Sequence, residues 1–222
     1  MASRTVQKIG TKGSLAWMQA LVNRHPKVLN AAVGTVLGID PATIDWVSPL
    51  AADDHAEYRD QGFLDKLGIN LTRHSLSDFW PNRGPQWDAL ARTPSSVILV
   101  EAKAHLNELT STCAAGDASM AKIQRSFDMM KDGIGASRDT DWTTPFYQYA
   151  NRLAHLYLLS ELNGIDTELV ILCFLNDREM RGPETAAQWH DAISMVHDTL
   201  GIASLPILEH VHHVFIDVRD LA

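Results

Sequence analysis

The sequence predicts an α/β sandwich around a central mixed sheet, and three observations carry that expectation. Apolar, strand-prone runs recur at residues 97–100, 167–175 and 211–218. Segments with the three-to-four-residue apolar period of amphipathic helices lie before and between them. A Pro94-Ser95-Ser96 turn links two extended segments as a hairpin. Strands that alternate with helices in this way assemble as helical layers on a mixed sheet. At 222 residues and 45% hydrophobic, the chain can bury a real core. One domain over 1–222 is expected, with 1–50 as an N-terminal helical extension.

In chain order, residues 14–24 read as a helix capped by Ser14, and 26–38 as a second short one. Residues 51–67 read as one helix: Asp53 and Asp54 stand in its first turn, and Ala56, Phe63, Leu64 and Leu67 form a stripe ending before Gly68. Residues 71–84 are expected to hold the first strand and a turn at Trp80-Pro81-Asn82-Arg83-Gly84. Residues 85–90 and 97–103 form the hairpin. Asp117 or Ser119 caps a helix with the stripe Met120, Ile123, Phe127 and Met130, and 133–144 is a polar linker. Residues 145–162 give the strongest helix, with Phe146, Tyr149, Leu153, Leu156 and Leu159 or Tyr157 inward. A strand at 167–175, a helix at 185–200 with Trp189, Ile193 and Val196 inward, and a strand at 211–218 complete the order. No internal repeat or low-complexity tract interrupts it.

The chemistry concentrates at the end of the hairpin. Residues 97–100 fit a strand buried on both faces, yet the run continues into Glu101 and Lys103, which the two-residue period places on one face. A buried charge costs several kcal/mol unless it is paired or bound to a metal. Lys103 paired with Glu101 is the structural answer. The functional one is a divalent cation shared by Asp88 and Glu101, with Lys103 aimed at a substrate phosphate. Magnesium is commonly held by one or two carboxylates plus substrate oxygens, and the backbone carbonyl of Ala102 is a candidate third ligand. Such a cation, Mg²⁺ or Mn²⁺, lowers the pKa of water and offsets charge built up in phosphoryl transfer. Lys103 then serves to orient or deprotonate water, or to stabilise charge.

Asp88 followed by Glu101-Ala102-Lys103 resembles the PD-(D/E)xK nucleases, which share the restriction-endonuclease-like fold. In that superfamily an Asp on one strand precedes Glu-x-Lys or Asp-x-Lys on the next, and the resemblance spans roughly residues 50–175. Pro85 does not immediately precede Asp88, a departure from the motif. The resemblance implies metal-dependent hydrolysis of phosphodiester bonds in DNA or another nucleic acid. It also implies an acidic residue on the helix before the hairpin that joins the metal site directly or through water, for which Glu57 is the choice, with Asp53, Asp54 and Asp60 as competitors and a solvated helix acid as the plain alternative. Some branches carry Gln-x-x-x-Tyr on the later helix. Here Gln148 matches and Arg152 replaces the Tyr. Gln148, Arg152 and His155 share a stripe, which reads otherwise as the helix's wet side.

A formal charge of −8 opposes nucleic-acid binding, because phosphate contacts need Lys and Arg. Arg4, Lys8 and Lys12 form a basic N-terminal arm, and Lys122, Arg125 and Lys131 lie on the helix after the hairpin. Weak, salt-sensitive binding is therefore expected, and a homodimer would pool two modest basic surfaces. No stretch approaches the roughly 20 apolar residues of a membrane span. Residues 1–13 lack the apolar core of a signal peptide, so a cytoplasmic setting is expected. Cys113 and Cys173 have no metal spacing and read as reduced thiols. His210 and His212 share a strand face but lack a zinc pattern around them and read as edge-strand side chains. His105 follows Lys103 as an accessory group or a loop cap. Two alternatives stay open: a non-catalytic binding module that keeps the fold, and a metal hydrolase of a small phosphorylated molecule.

Overall fold

The apolar run at 97–100 does form a strand buried on both faces, and the rest of the chain is arranged around it. The computed structural model describes residues 3–221; residues 1, 2 and 222 of the expected domain lie outside the described residues. In chain order the main elements are β1 (Arg4–Thr5), α1 (Gly13–Asn23), α2 (Pro26–Leu37), β2 (Asp45–Ser48), β3 (Glu57–Tyr58), α3 (Gln61–Leu67), α4 (Leu76–Phe79), β4 (Ala89–Arg92), β5 (Val97–Lys103), α5 (Asp117–Ile134), α6 (Tyr147–Tyr157), β6 (Thr167–Leu175), α7 (Ala186–Leu200) and β7 (Val211–Asp217).

The sheet is mixed, as expected. Its order is β2-β4-β5-β6-β7. The β2–β4 and β4–β5 pairs are antiparallel, while β5, β6 and β7 run parallel. Side-chain alternation along β5 sorts it between two apolar layers. Val97 and Leu99 join one layer with Phe63 of α3, Phe127 of α5, Leu153 of α6 and Trp189 of α7. Ile98, Val100 and Ala102 join the other with Leu21 of α1 and Val33 of α2. Strands covered on both sides need a nearly continuous apolar sequence, which is why β5 and β6 stood out in the sequence. Local chemistry ends the helices. Thr185 and Gln188 form a reciprocal capping box at the start of α7, and Gly135 closes α5 at φ 78°, a conformation that disfavours a side chain.

Four expectations are corrected. Residues 51–67 do not make one helix: a 3-10 turn at Ala51–Asp53 is followed by β3, and only α3 is helical. Asp54, His55 and Asp60 take positive φ, and Glu57 pairs with Thr5 of β1, a partner 52 residues away that local periodicity does not reveal. The segment 71–84 carries α4, capped by Ser75, and no strand; the edge strand is β2. Within residues 1–50, α1 and α2 supply one covering layer and β2 joins the sheet. Ser14 lies inside α1 and does not cap it, because the helix begins at Gly13. The 133–144 stretch also does more than link, for Trp142 is buried and donates Nε1–H to the Leu200 carbonyl at 2.9 Å. Among the described residues no helix is long and apolar enough to cross a membrane.

Candidate active site

The site is created by a mismatch in strand length. β4 pairs with β5 from Arg92↔Val97 to Ala89↔Val100, and the Asp88 N–H donates to the Val100 carbonyl at 3.2 Å. There β4 ends. β5 runs on through Glu101, Ala102 and Lys103, held on its other side by β6 at Ile171, Leu172 and Cys173. The vacated side would leave backbone groups unpaired, which is costly in a buried strand. Asp88 Oδ2 takes the place of the missing strand by accepting the Ala102 N–H at 2.7 Å. The N–H and C=O of a strand residue face the same side, so the Ala102 carbonyl faces Asp88 too.

Glu101 and Lys103 project toward α6 from the face of β5 that carries Leu99. Lys103 Nζ donates to Glu101 Oε1 at 2.5 Å and to Gln148 Oε1 at 2.8 Å. Arg152 Nε donates to Glu101 Oε2 at 2.6 Å, and its remaining nitrogens reach the Gln86 carbonyl at 3.0 Å and Asn151 Oδ1 at 2.7 Å. Its guanidinium also lies over the Trp87 ring, 5.0 Å from the centroid. The Gln148–Arg152–His155 stripe is therefore not a wet face: Arg152 is 4% exposed and His155 1%. His155 sits among Phe63, Trp80 and Trp87, with its Nδ1 2.8 Å from the Asn151 carbonyl of its own helix.

Asp88, Glu101, Ala102, Lys103, Gln148 and Arg152 line one open cavity of about 680 Å³, together with Glu57, Gln86, Glu108, Ser111, Tyr147 and Asn151. Asp88, Glu101, Ala102, Lys103 and Gln148 are thus brought together. Glu57 joins them from β3 and not from a helix, placed there by a bridge between Tyr58 and Trp87. Its Oε2 accepts from Gln86 at 2.6 Å and Gln7 at 2.8 Å. Asp53, Asp54 and Asp60, its competitors, are committed elsewhere. Asp53 and Asp54 hold Arg4, and Asp60 accepts the Arg83 and Gly84 N–H groups.

Charge in this cavity is lopsided: four carboxyl groups, those of Glu57, Asp88, Glu101 and Glu108, face two cations, Lys103 and Arg152. Burial, followed by the charges of Glu101 and Glu57, pushes the Asp88 pKa well above the usual carboxylate range. Burial likewise raises Glu57, which the Gln86 and Gln7 amides only partly counter. Glu101 goes the other way. Burial alone would raise it, but Arg152 and Lys103 together bring it below its ordinary value. Among the described residues no group of three or more His, Cys, Asp or Glu side chains is drawn together to hold a metal ion.

Several participants had weak or no sequence signals. Arg152 stands where a Gln-x-x-x-Tyr motif has its Tyr, and its role as the clamp on Glu101 emerges only in three dimensions. Gln7 reaches Glu57 across fifty residues. Glu108 accepts the Ala104 N–H at 2.8 Å and lies 3.3 Å from His105, which stands past the end of β5 instead of continuing it. His210 and His212 do not share a strand face, since His210 ends a 3-10 turn and only His212 lies on β7, but both meet Glu168 of β6, at 3.5 and 2.7 Å. Set against protein-family models, curated proteins and solved structures, the chain matches none.

Proposed function

We propose that the chain is a divalent-cation-dependent phosphodiester hydrolase with a restriction-endonuclease-like fold, acting on DNA or another nucleic acid. The observation that carries this reading is the convergence of Asp88, Glu101 and Lys103 where β4 ends and β5 continues, in a cavity with more acids than bases. The residues fit a hard cation. Asp88 is charge-frustrated by Glu101 and Glu57, and Asp88, Glu101 and the Ala102 carbonyl are the oxygen donors that would hold Mg²⁺ or Mn²⁺. Once bound, such an ion supplies Lewis-acid chemistry, lowering the pKa of water and offsetting negative charge on the phosphate.

The protein's own groups do the positioning. Gln148 and Glu101 fix the Lys103 ammonium from two sides, so it enters the cavity in one place and meets a phosphate oxygen without first having to be ordered. Arg152 holds the Glu101 carboxylate against rotation, and Gln86 and Gln7 do the same for Glu57. Mg²⁺- or Mn²⁺-dependent cleavage of single- and double-stranded DNA is the test. Lys103→Ala and Asp88→Asn should each lower the rate by about 10²-fold or more, the range of a positioned acid–base or electrostatic group. Equal rates in Lys103→Ala and the unaltered chain would reject this assignment.

A second reading has one observation behind it. Both oxygens of Glu101 already have cationic partners, Lys103 and Arg152, which suits a binding module that keeps the fold without hydrolysis. It expects no heat of divalent-cation binding and no cleavage.

A further inference from the structure

We infer that residues 6–12, the segment preceding α1, form a rim that grips the nucleic-acid strand and presents it to the cavity. This rests on the phosphodiesterase reading above and names the surface that such a substrate would need. The problem it answers is electrostatic. A cavity in which acids outnumber bases repels a polyanion, so affinity has to come from cations beside the cavity and not within it.

The segment is tied to the cavity at two points. Gln7 Nε2 donates to Glu57, which lines the cavity, and Ser14, two residues past the segment, lines the cavity itself. The residues between join these two points. They are firmly held. Gln19, 6% exposed, donates to the Lys8 carbonyl at 3.0 Å and accepts the Gly10 N–H at 2.9 Å. A methyl group at Gly10 would come within 2.6 Å of the Ala16 backbone nitrogen, so this crossing over α1 requires glycine. Upstream, Arg4 is consumed in anchoring the segment to Asp53 and Asp54.

What the held backbone displays is unusual for a structural strap. Val6 is 55% exposed and Ile9 78%, and Lys8, Thr11 and Lys12 are exposed beside them. Among the described residues Lys8 and Lys12 form no ion pair, unlike Arg4, Lys66, Arg92 and Arg138. Two unneutralised ammonium groups with an exposed aliphatic side chain between them suit a sugar-phosphate backbone, with Ile9 against a sugar or base. Downstream, Met180 packs on Gly13, and its loop carries exposed Arg178 and Arg181, though with Glu179 and Glu184 among them. Lys8 and Lys12 are thus the cleaner probe.

The test is fluorescence anisotropy of a labelled short duplex DNA, without divalent metal, titrated with the full chain and with the Lys8→Ala/Lys12→Ala variant over a range of salt. The variant should bind roughly tenfold or more weakly at 0.1 M salt, and its plot of log affinity against log salt should be flatter by about 1.8, the release expected for two lost phosphate contacts. Lys27→Ala on α2 removes one such charge from outside the rim and should change neither. Unchanged affinity and slope in the double variant would overturn the inference, as would an equal loss in Lys27→Ala. The two readings fail separately. Absence of metal-dependent cleavage by the unaltered chain sinks the hydrolase, while the rim is judged by binding alone.

Discussion

Asp88 carries two duties that conflict. Its Oδ2 replaces a missing strand by accepting the Ala102 N–H, and its charge is opposed by burial and by Glu101 and Glu57. A carboxyl group whose pKa is raised on folding disfavours the native state once pH climbs above the unfolded value of about 3.9, and the penalty is complete above the folded pKa. Asn keeps an acceptor oxygen and removes the charge. Asp88→Asn should therefore melt at a higher temperature than the unaltered chain at neutral pH in chelator, and the difference should vanish as pH falls toward 4. Glu101 behaves oppositely: its lowered pKa lends stability above the unfolded value and withdraws it in acid. A thermal melt series across pH reads both. Asp88→Asn that is less stable than the parent at every pH would mean that the charge is satisfied by groups other than a bound cation.

The joint between α6 and β5 is the element on which the site depends. Arg152 reaches from α6 to Glu101 on β5 and to the Gln86 carbonyl ahead of β4, so three elements meet on one guanidinium. Removing one partner of a buried pair leaves the other charge uncompensated, at a cost of about 3–5 kcal/mol. Arg152→Ala should lose stability of that order in urea unfolding, whereas Gln148→Ala, at a half-buried position, should lose far less. Similar losses in both would show that Glu101 does not rely on Arg152. The contrast also marks what could be read in advance. Periodicity revealed β5, β6, β7, α5, α6 and α7, because each buries a regular stripe or an apolar run. It also revealed that Glu101 and Lys103 share a face. It missed β2 and β3, whose four and two residues are too short to show a period, and it left Arg152 and His155 open between site groups and the helix's wet side, since polar side chains buried against partners on other elements look identical to exposed ones in one dimension.

For the molecule as a whole, the net charge of −8 and the excess of acids in the cavity point the same way: association with a polyanion depends on cations, either bound ions or local lysines. Acid should also unfold the chain early. His155 is enclosed by aromatic rings, and burial pushes its pKa down to about 3. A histidine that stays neutral in the native state takes up a proton on unfolding, so stability falls as pH drops below about 6.5 and continues to fall toward 3. His155→Phe, which fits the same aromatic surroundings, should flatten that acid limb of a pH-dependent melt. An unchanged limb would place the acid sensitivity elsewhere.

Calorimetric titration of Mn²⁺ into the full chain and into Asp88→Asn at neutral pH bears most closely on whether this cavity holds a cation. Saturable binding at a single site in the unaltered chain, lost in Asp88→Asn and weakened as pH is lowered because Asp88 must give up its proton, is the expected result. No binding by the unaltered chain, or binding that survives Asp88→Asn undiminished, would contradict it.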